Sequence, residues 1–372
     1  MYPEVQCLCK DEDEQIYPVS FGIGNVENKK SWSWFLNQLG RAIGCPENAI
    51  FISDQHLGIK NAIEKVYKDA HHDLCNYHLG KNIKNMFKLE DVGTIYTLAA
   101  NCYRLTDFNR HMNKLKQLYK PAYDRLMRLG SKRWARVRSP IRRYRLMTSN
   151  IAECINSCLK HVRKMPITVR IECIKAMFQH WFLDRHNEAL NLTMPLSPWV
   201  IDLLNKQFNE ACHFSIQPID RMEFQVIGGT KDAVVNLCTK TCSCGEFQTD
   251  LLPYTHAMAA ISKYKCAAIE FCSDYYFTRS WVDGYAVPIH SIGHPSEWDI
   301  PYDVKQMVVL PPTWGDQEGK PRRKRIPSAG ESSRRHRYSQ CKSYGHNRQN
   351  CLMLFPTLST NGETSSTQST AQ

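Results

Sequence analysis

The sequence predicts an α+β fold, with a mixed sheet covered by helices and a small cysteine-containing module behind it. Three observations predict it. Runs of period two and period 3.6 follow one another as β-β-α-β-α over residues 5–66. A mostly helical, increasingly basic stretch follows over residues 78–145. Two short β-runs then lead into Cys242-Ser243-Cys244, and His256 opens an Ala-rich helix.

Residues 5–9 and 16–24 read as strands, and Pro18 places an edge or a bulge in the second. A helix begins near Lys30 with Ser31 as its N-cap, and Trp32, Phe35, Leu36 and Leu39 share one face. Residues 49–53 form a short buried strand that ends at Asp54, and 58–66 are helical again. After Thr148-Ser149-Asn150 one helix is predicted through Glu153 to about 162, and another over 168–190. Pro195, Pro198 and the polar run after them mark a boundary, and strands are expected at 223–227 and 233–238. From about 315 the composition turns to Gly, Pro, Ser and Arg, and the Ser/Thr-rich end reads as unstructured.

A chain of 372 residues holds two or three modules, and 42% hydrophobic residues is an ordinary globular share. The net charge of +12 favours a polyanionic partner, nucleic acid before an anionic membrane. No apolar run is long enough to span a bilayer. The opening residues, with the acidic run 11–14, do not read as a signal or transit peptide. Sixteen cysteines in that setting predict a reducing compartment, where they act as metal ligands or small buried groups.

Seven places could carry chemistry or binding. Cys242, Cys244 and His256 are three ligands of the kind zinc takes four of, and Tyr254 stands where a Cys-x-His pair would supply the missing thiolate. Cys341, His346 and Cys351 have the C-x4-H-x4-C spacing of a zinc knuckle, with Tyr338 where its first cysteine belongs. Asp54, at the end of a strand, suits Mg²⁺, although a helix cap explains it locally as well. Cys75 and His78 share a helical face as half of a metal site, or as a buried thiol and a capping imidazole. Glu153 in a first helical turn needs only the helix dipole to explain it. Arg133, Arg136, Arg138, Arg142 and Arg143, interleaved with Trp134 and Tyr144, could track a nucleic-acid backbone and stack bases, although a solvated helix face is commoner. Arg322, Arg323, Lys324 and Arg325 suit DNA phosphates or an import receptor and predict a nuclear location.

Taken in order, several stretches resemble the Mutator-like element (MULE) transposases of plants. They are residues 15–23, Glu27-Asn28 with 31–36, Ile52-Ser53-Asp54, Cys75-Asn76-Tyr77-His78-Leu79 and residues 143–157, then the SWIM-like finger around Cys242 and the CCHC-like knuckle. The resemblance implies an RNase H-like domain with a helical insertion. In it three acids hold two Mg²⁺ ions that activate the attacking hydroxyl and stabilise the leaving oxygen in DNA strand transfer. It makes Asp54 the second acid, Glu153 the candidate third, and Cys75 and His78 the family's C-x-x-H, and so reverses the local balance at each.

The family's first Asp lies in an Asp-Gly-Thr motif upstream of the strand near Val5, and Asp11 aligns elsewhere. The expected organisation is therefore an incomplete RNase H-like domain over 1–195 with its insertion at about 79–147, a linker over 196–221 and a SWIM-type finger over 222–265. An extension follows over 266–314, and then a basic tail over 315–372 with a degenerate knuckle at 338–351. The function implied is a nuclear, transposase-derived protein that binds zinc and DNA without strand transfer. One alternative is an active enzyme whose first strand is encoded upstream, with Mg²⁺ in its site. The other is a zinc-knuckle protein that binds RNA or single strands. Protein partners or an oligomer are compatible with either. The two tyrosines mark weakened zinc sites, or sites closed by water or a thiol such as Cys238, since a phenol is a poor substitute for thiolate.

Overall fold

A computed structural model describes residues 3–306, apart from 25, 230, 291–295, 297, 298 and 301. The chain divides into two compact units, Met1–Asp299 and Ile300–Gln372. In the second unit the described structure is one short helix, Tyr302–Lys305.

Strands β1 (Glu4–Lys10) and β2 (Ile16–Ile23) form an antiparallel hairpin. Its register shifts between Cys7 and Leu8, so Ser20 and Pro18 are the partners on either side of a bulge, where Pro18 was expected to need one. Asp11 builds the turn. Its Oδ1 accepts hydrogen bonds from the backbone of Asp13 (3.1 Å) and Gln15 (2.7 Å), and its Oδ2 accepts one from the Tyr285 hydroxyl (2.7 Å).

Helix α1 (Lys29–Ile43) is capped by Asn28, three residues earlier than the expected Ser31. The Asn28 side chain takes the free N–H groups of Lys30 (2.9 Å) and Ser31 (3.0 Å), while the Ser31 hydroxyl donates to the Val26 carbonyl (2.6 Å). Phe35, Leu36 and Leu39 of α1 are buried against Ala62 and Ile63 of α2 (Leu57–Val66). Strand β3 (Ile50–Ser53) pairs in parallel with β4 (His71–Leu74). The sequence His-His-Asp-Leu is too short and polar to signal that strand. Instead of one mixed sheet, the described residues form two separate two-stranded sheets here. Val5, Cys7 and Val19 from the hairpin and Phe51 from β3 nevertheless pack on the same α1–α2 core.

Four helices follow: α3 (Asn76–Phe87), α4 (Glu90–Asn101), α5 (Leu105–Leu118) and α6 (Lys120–Leu129), then two single turns of 3₁₀ helix at Ser131–Arg133 and Arg136–Arg138. Their core closes around Trp134, which is fully buried. Its indole N–H donates to the Leu126 carbonyl (3.2 Å), and the rings of Tyr96 and Phe108 lie 5.4 and 5.7 Å away. Burying an aromatic side chain of this kind contributes about 1.5–3 kcal/mol. Trp134 is therefore structural, and the expected base-stacking role does not apply to it.

Helix α7 (Asn150–Cys158) stops short of the predicted end and is followed by a 3₁₀ turn at Val162–Lys164. It docks on β1, where the Gln6 amide donates to Asn156 Oδ1 (2.9 Å) and Arg163 Nε donates to Glu4 (2.9 Å). Helix α8 (Ile167–Leu190) matches expectation.

Where a linker was expected, residues 198–220 form helix α9 (Pro198–Ala211) and strand β5 (Ser215–Asp220). Pro198 sits in the first turn of α9, where its missing N–H costs nothing. Strands β6 (Glu223–Ile227), β7 (Ala233–Asn236) and β8 (Thr241–Cys242) extend β5 into a four-stranded antiparallel sheet. Helices α10 (Glu246–Asp250) and α11 (Thr255–Tyr264) follow. Val200 and Leu204 of α9 join Phe224, Val226, Ala257 and Ile261 in one core. The cysteine module thus includes α9, because that helix covers its apolar face. Helix α12 (Thr278–Tyr285) packs Trp281 and Tyr285 on Phe182 of α8.

Candidate metal-binding sites

The turn between β8 and α10 places Cys242 and Cys244 on one side of a cluster, and the first turn of α11 brings His256 to the other. The ligand atoms of these three side chains all lie within 4.8 Å of one another. Gly245, with φ +89°, makes the turn possible, since a Cβ there would sit 2.6 Å from the Tyr103 carbonyl oxygen. The Cys244 backbone N–H donates to Cys242 Sγ (3.4 Å). The Cys242 thiol, buried and hydrogen-bonded to Cys244, is held well above its usual range. Cys244 is drawn down by that bond and, secondarily, by His256, although burial opposes it. His256 is raised in turn by Cys244 and by the Lys231 backbone, and its ring stacks on Phe214 at 5.5 Å. Two thiols and an imidazole already sharing protons are a donor set that fits Zn²⁺, which binds by displacing those protons.

Tyr254 does not join the cluster. Its hydroxyl donates to Asp250 Oδ2 (3.0 Å) and accepts from Arg145 (2.5 Å). Asp250 Oδ2 also accepts from the Tyr103 hydroxyl (2.8 Å), and the Arg145 guanidinium lies over the Trp199 ring at 5.1 Å. The phenol thus ties the module to the segment that carries Tyr103 and Arg145. No local pattern announces this network, because its members are spread over residues 103–254.

A second convergence lies at the end of β3 and the starts of α3 and α7. Asp54 Oδ1 accepts the His56 backbone N–H (3.0 Å), a turn that leaves His56 in the cap position of α2. Cys75 is buried at the head of α3 and accepts the Ser149 backbone N–H (3.2 Å). His78 Nδ1 meets Cys75 Sγ at 3.3 Å, and its Nε2 meets Glu153 Oε1 at 3.1 Å. Burial pushes the Cys75 thiol up, but hydrogen bonds from His78 and Ser149 outweigh it and bring the group down to about 7. His78 is raised by Cys75 first, and by the charges of Glu153 and Asp54. Cys75 and Glu153, from two separate stretches, therefore meet at one imidazole, and the Asp54 charge acts on the same ring.

The family model of the MULE transposase domain matches residues 1–82. The first 82 residues are thus similar to a MULE transposase domain. No curated protein matches the chain. Asp54, Cys75 and His78 lie inside the matched residues and Glu153 lies beyond them. Asp54 and Glu153 are oxygen donors of the kind Mg²⁺ takes. Among the described residues, the one group of three or more His, Cys, Asp or Glu side chains close enough to hold an ion is the Cys242–Cys244–His256 cluster.

The arginines expected to meet nucleic acid separate into two kinds. Arg143 is 4% exposed and forms an ion pair with fully buried Asp73, so it is not a phosphate contact. Arg133 is half-buried and donates to the His72 carbonyl (3.0 Å), and Arg136 lies over the Tyr103 ring at 4.3 Å. Arg138 and Arg142 are exposed. Tyr144 is partly buried with its ring 5.0 Å from Tyr275, so it offers no free stacking face like the one first expected. Arg322, Arg323, Lys324 and Arg325 lie outside the described residues, as do Cys341, His346, Cys351 and Tyr338.

Proposed function

We propose that the protein is a transposase-derived nuclear DNA-binding protein that holds zinc at Cys242, Cys244 and His256 and does not carry out strand transfer. The observation that carries this reading is the match of residues 1–82, which include Asp54, to the MULE transposase domain, with Glu153 held 3.1 Å from His78 of the same segment. Two carboxylates there can hold one divalent cation, whose chemistry when bound is to polarise a phosphate oxygen. Symmetric clamping of both reacting oxygens needs a second ion and a further carboxylate, which the cleft does not gain from Asp11, committed to its own turn.

DNA binding is supported by the net charge of +12 and by exposed Arg138 and Arg142. The basic run 322–325 and the knuckle residues Cys341, His346 and Cys351 supply further cations and ligands for the same partner. The run is also what supports nuclear import. The single-strand or RNA reading loses its main support, because Trp134 is fully buried and Tyr144 packs on Tyr275.

Fluorescence anisotropy of the full chain with duplex and single-stranded oligonucleotides tests the binding. Duplex affinity is expected to fall steeply as salt rises. A clear preference for single strands would reverse the choice between the two readings.

A further inference from the structure

Helix α5 carries an exposed face that the fold itself does not use. Thr106, Asn109, Arg110, Asn113, Lys114 and Gln117 recur three and four residues apart and line one open depression. All six are exposed, while Phe108, Met112 and Leu115 hold the opposite side of the helix in the core. Each of the six side chains is a hydrogen-bond donor. Asn109, Asn113, Lys114 and Gln117 make no hydrogen bond or ion pair among the described residues.

A face that serves only solubility is composed differently. It sets acids and bases one turn apart so that they pair, as Lys120 does with Asp124 (2.8 Å) in α6. Helix α5 has a single acid, Asp107, and Arg110 (2.9 Å) and Lys231 (2.6 Å) already hold it. Asparagine is also a weak helix former, because its amide competes for the backbone. Two unpartnered asparagines in mid-helix therefore lower stability with no offset from the fold.

The residue types on this face are those that read base edges. Asn and Gln pair bidentately with adenine, and Arg and Lys with guanine. A helix with its side chains is about 10–12 Å across, and the major groove of a DNA duplex is about 12 Å wide. With 14 residues, α5 is about 21 Å long. Its charge suits the same partner. Arg110, Lys114 and Lys116 stand against one neutralised acid, and the exposed Arg138 guanidinium lies over the Phe108 ring of α5 at 5.5 Å.

We propose that α5 is a recognition helix that reads base sequence in the major groove of duplex DNA through Asn109, Arg110, Asn113 and Gln117. This rests on the DNA-binding reading under the proposed function and adds sequence selectivity to it. Exposed Arg138 and Arg142 hold phosphates and carry no sequence information.

The test is selection of duplexes from a randomised pool by the full chain, followed by anisotropy on the enriched duplex and a scrambled one. The parent is expected to enrich a sequence and to bind it more tightly than the scrambled duplex. The double variant Asn109→Ala, Asn113→Ala should lose about 5- to 150-fold on the enriched duplex, the range of one bidentate base contact. It should keep its affinity for the scrambled duplex. Its helix content by circular dichroism should be retained, since alanine is the better helix former. Arg142→Ala should weaken both duplexes alike. If the double variant discriminates as the parent does, or if the chain binds the pool and enriches no sequence, the reading helix is overturned while DNA binding stands. If the parent binds no duplex, or is displaced from it more readily by RNA hairpins than by DNA, the DNA-binding reading itself fails.

Discussion

His78 stands between Cys75 and Glu153, 3.3 Å from the thiol sulfur and 3.1 Å from the carboxylate. Because Cys75 also accepts the Ser149 backbone N–H, one thiol fixes both the imidazole and the first turn of α7 that carries Glu153. Glu153, which follows helices α3–α6 in the chain, is thereby brought back beside the start of α3.

This convergence predicts cation binding that depends on both acids. Asp54→Ala and Glu153→Ala should each weaken Mn²⁺ binding, followed by electron paramagnetic resonance, by about tenfold or more, as loss of a carboxylate ligand requires. Glu90→Ala, on an exposed helix start away from His78, should leave it unchanged. Equal affinity in all three variants would separate these acids from any metal.

Neighbouring arginines should behave oppositely. Arg143→Ala leaves Asp73 buried without its partner and is expected to cost about 3–5 kcal/mol in chemical denaturation. Arg142→Ala is exposed and should shift stability by less than about 0.5 kcal/mol while lowering duplex affinity. The reverse pattern would mean that the basic stretch is read on the wrong face.

The Tyr254 hydroxyl has a structural task, so Tyr254→Phe should cost about 1–3 kcal/mol, because Asp250 and Arg145 lose a buried partner. Zinc affinity should not change. A fall in zinc affinity with unchanged stability would return the phenol to the metal site.

Glu12 supplies a pH dependence. Burial pushes its carboxyl up to about 7, and the Asp11 charge adds to this. Its folded value is above the unfolded one, so the stability it contributes is full below about pH 4 and is lost as pH rises through 7. Glu12→Gln should therefore melt higher than the parent at about pH 8 and equally at about pH 4. Partial exposure limits the gain to about 1 kcal/mol. The same offset at both pH values would assign it to packing.

Much of the N-terminal fold was legible in the sequence. Pro18 announced its bulge, and Phe35, Leu36 and Leu39 announced the buried face of α1, because both signals are local. The metal residues were legible as types and spacings, and Cys242, Cys244 and His256 do meet. What escaped depends on distant partners. Strand β4 is polar because His72 and Asp73 are paired with Ser53 and Arg143 across the chain. Arg143 resembles its exposed neighbours in sequence and differs only by the burial of Asp73. Helix α9 was hidden behind two prolines that read as a linker, although one of them starts a helix.

The most direct test is incubation of the full chain with Mg²⁺ and supercoiled or oligonucleotide duplex DNA, with strand breaks read on a denaturing gel beside a binding assay on the same sample. A transposase-derived DNA-binding protein without strand transfer retains the duplex and leaves it uncut. Mg²⁺-dependent nicking or joining that Asp54→Ala abolishes would contradict this and make the chain an active recombinase.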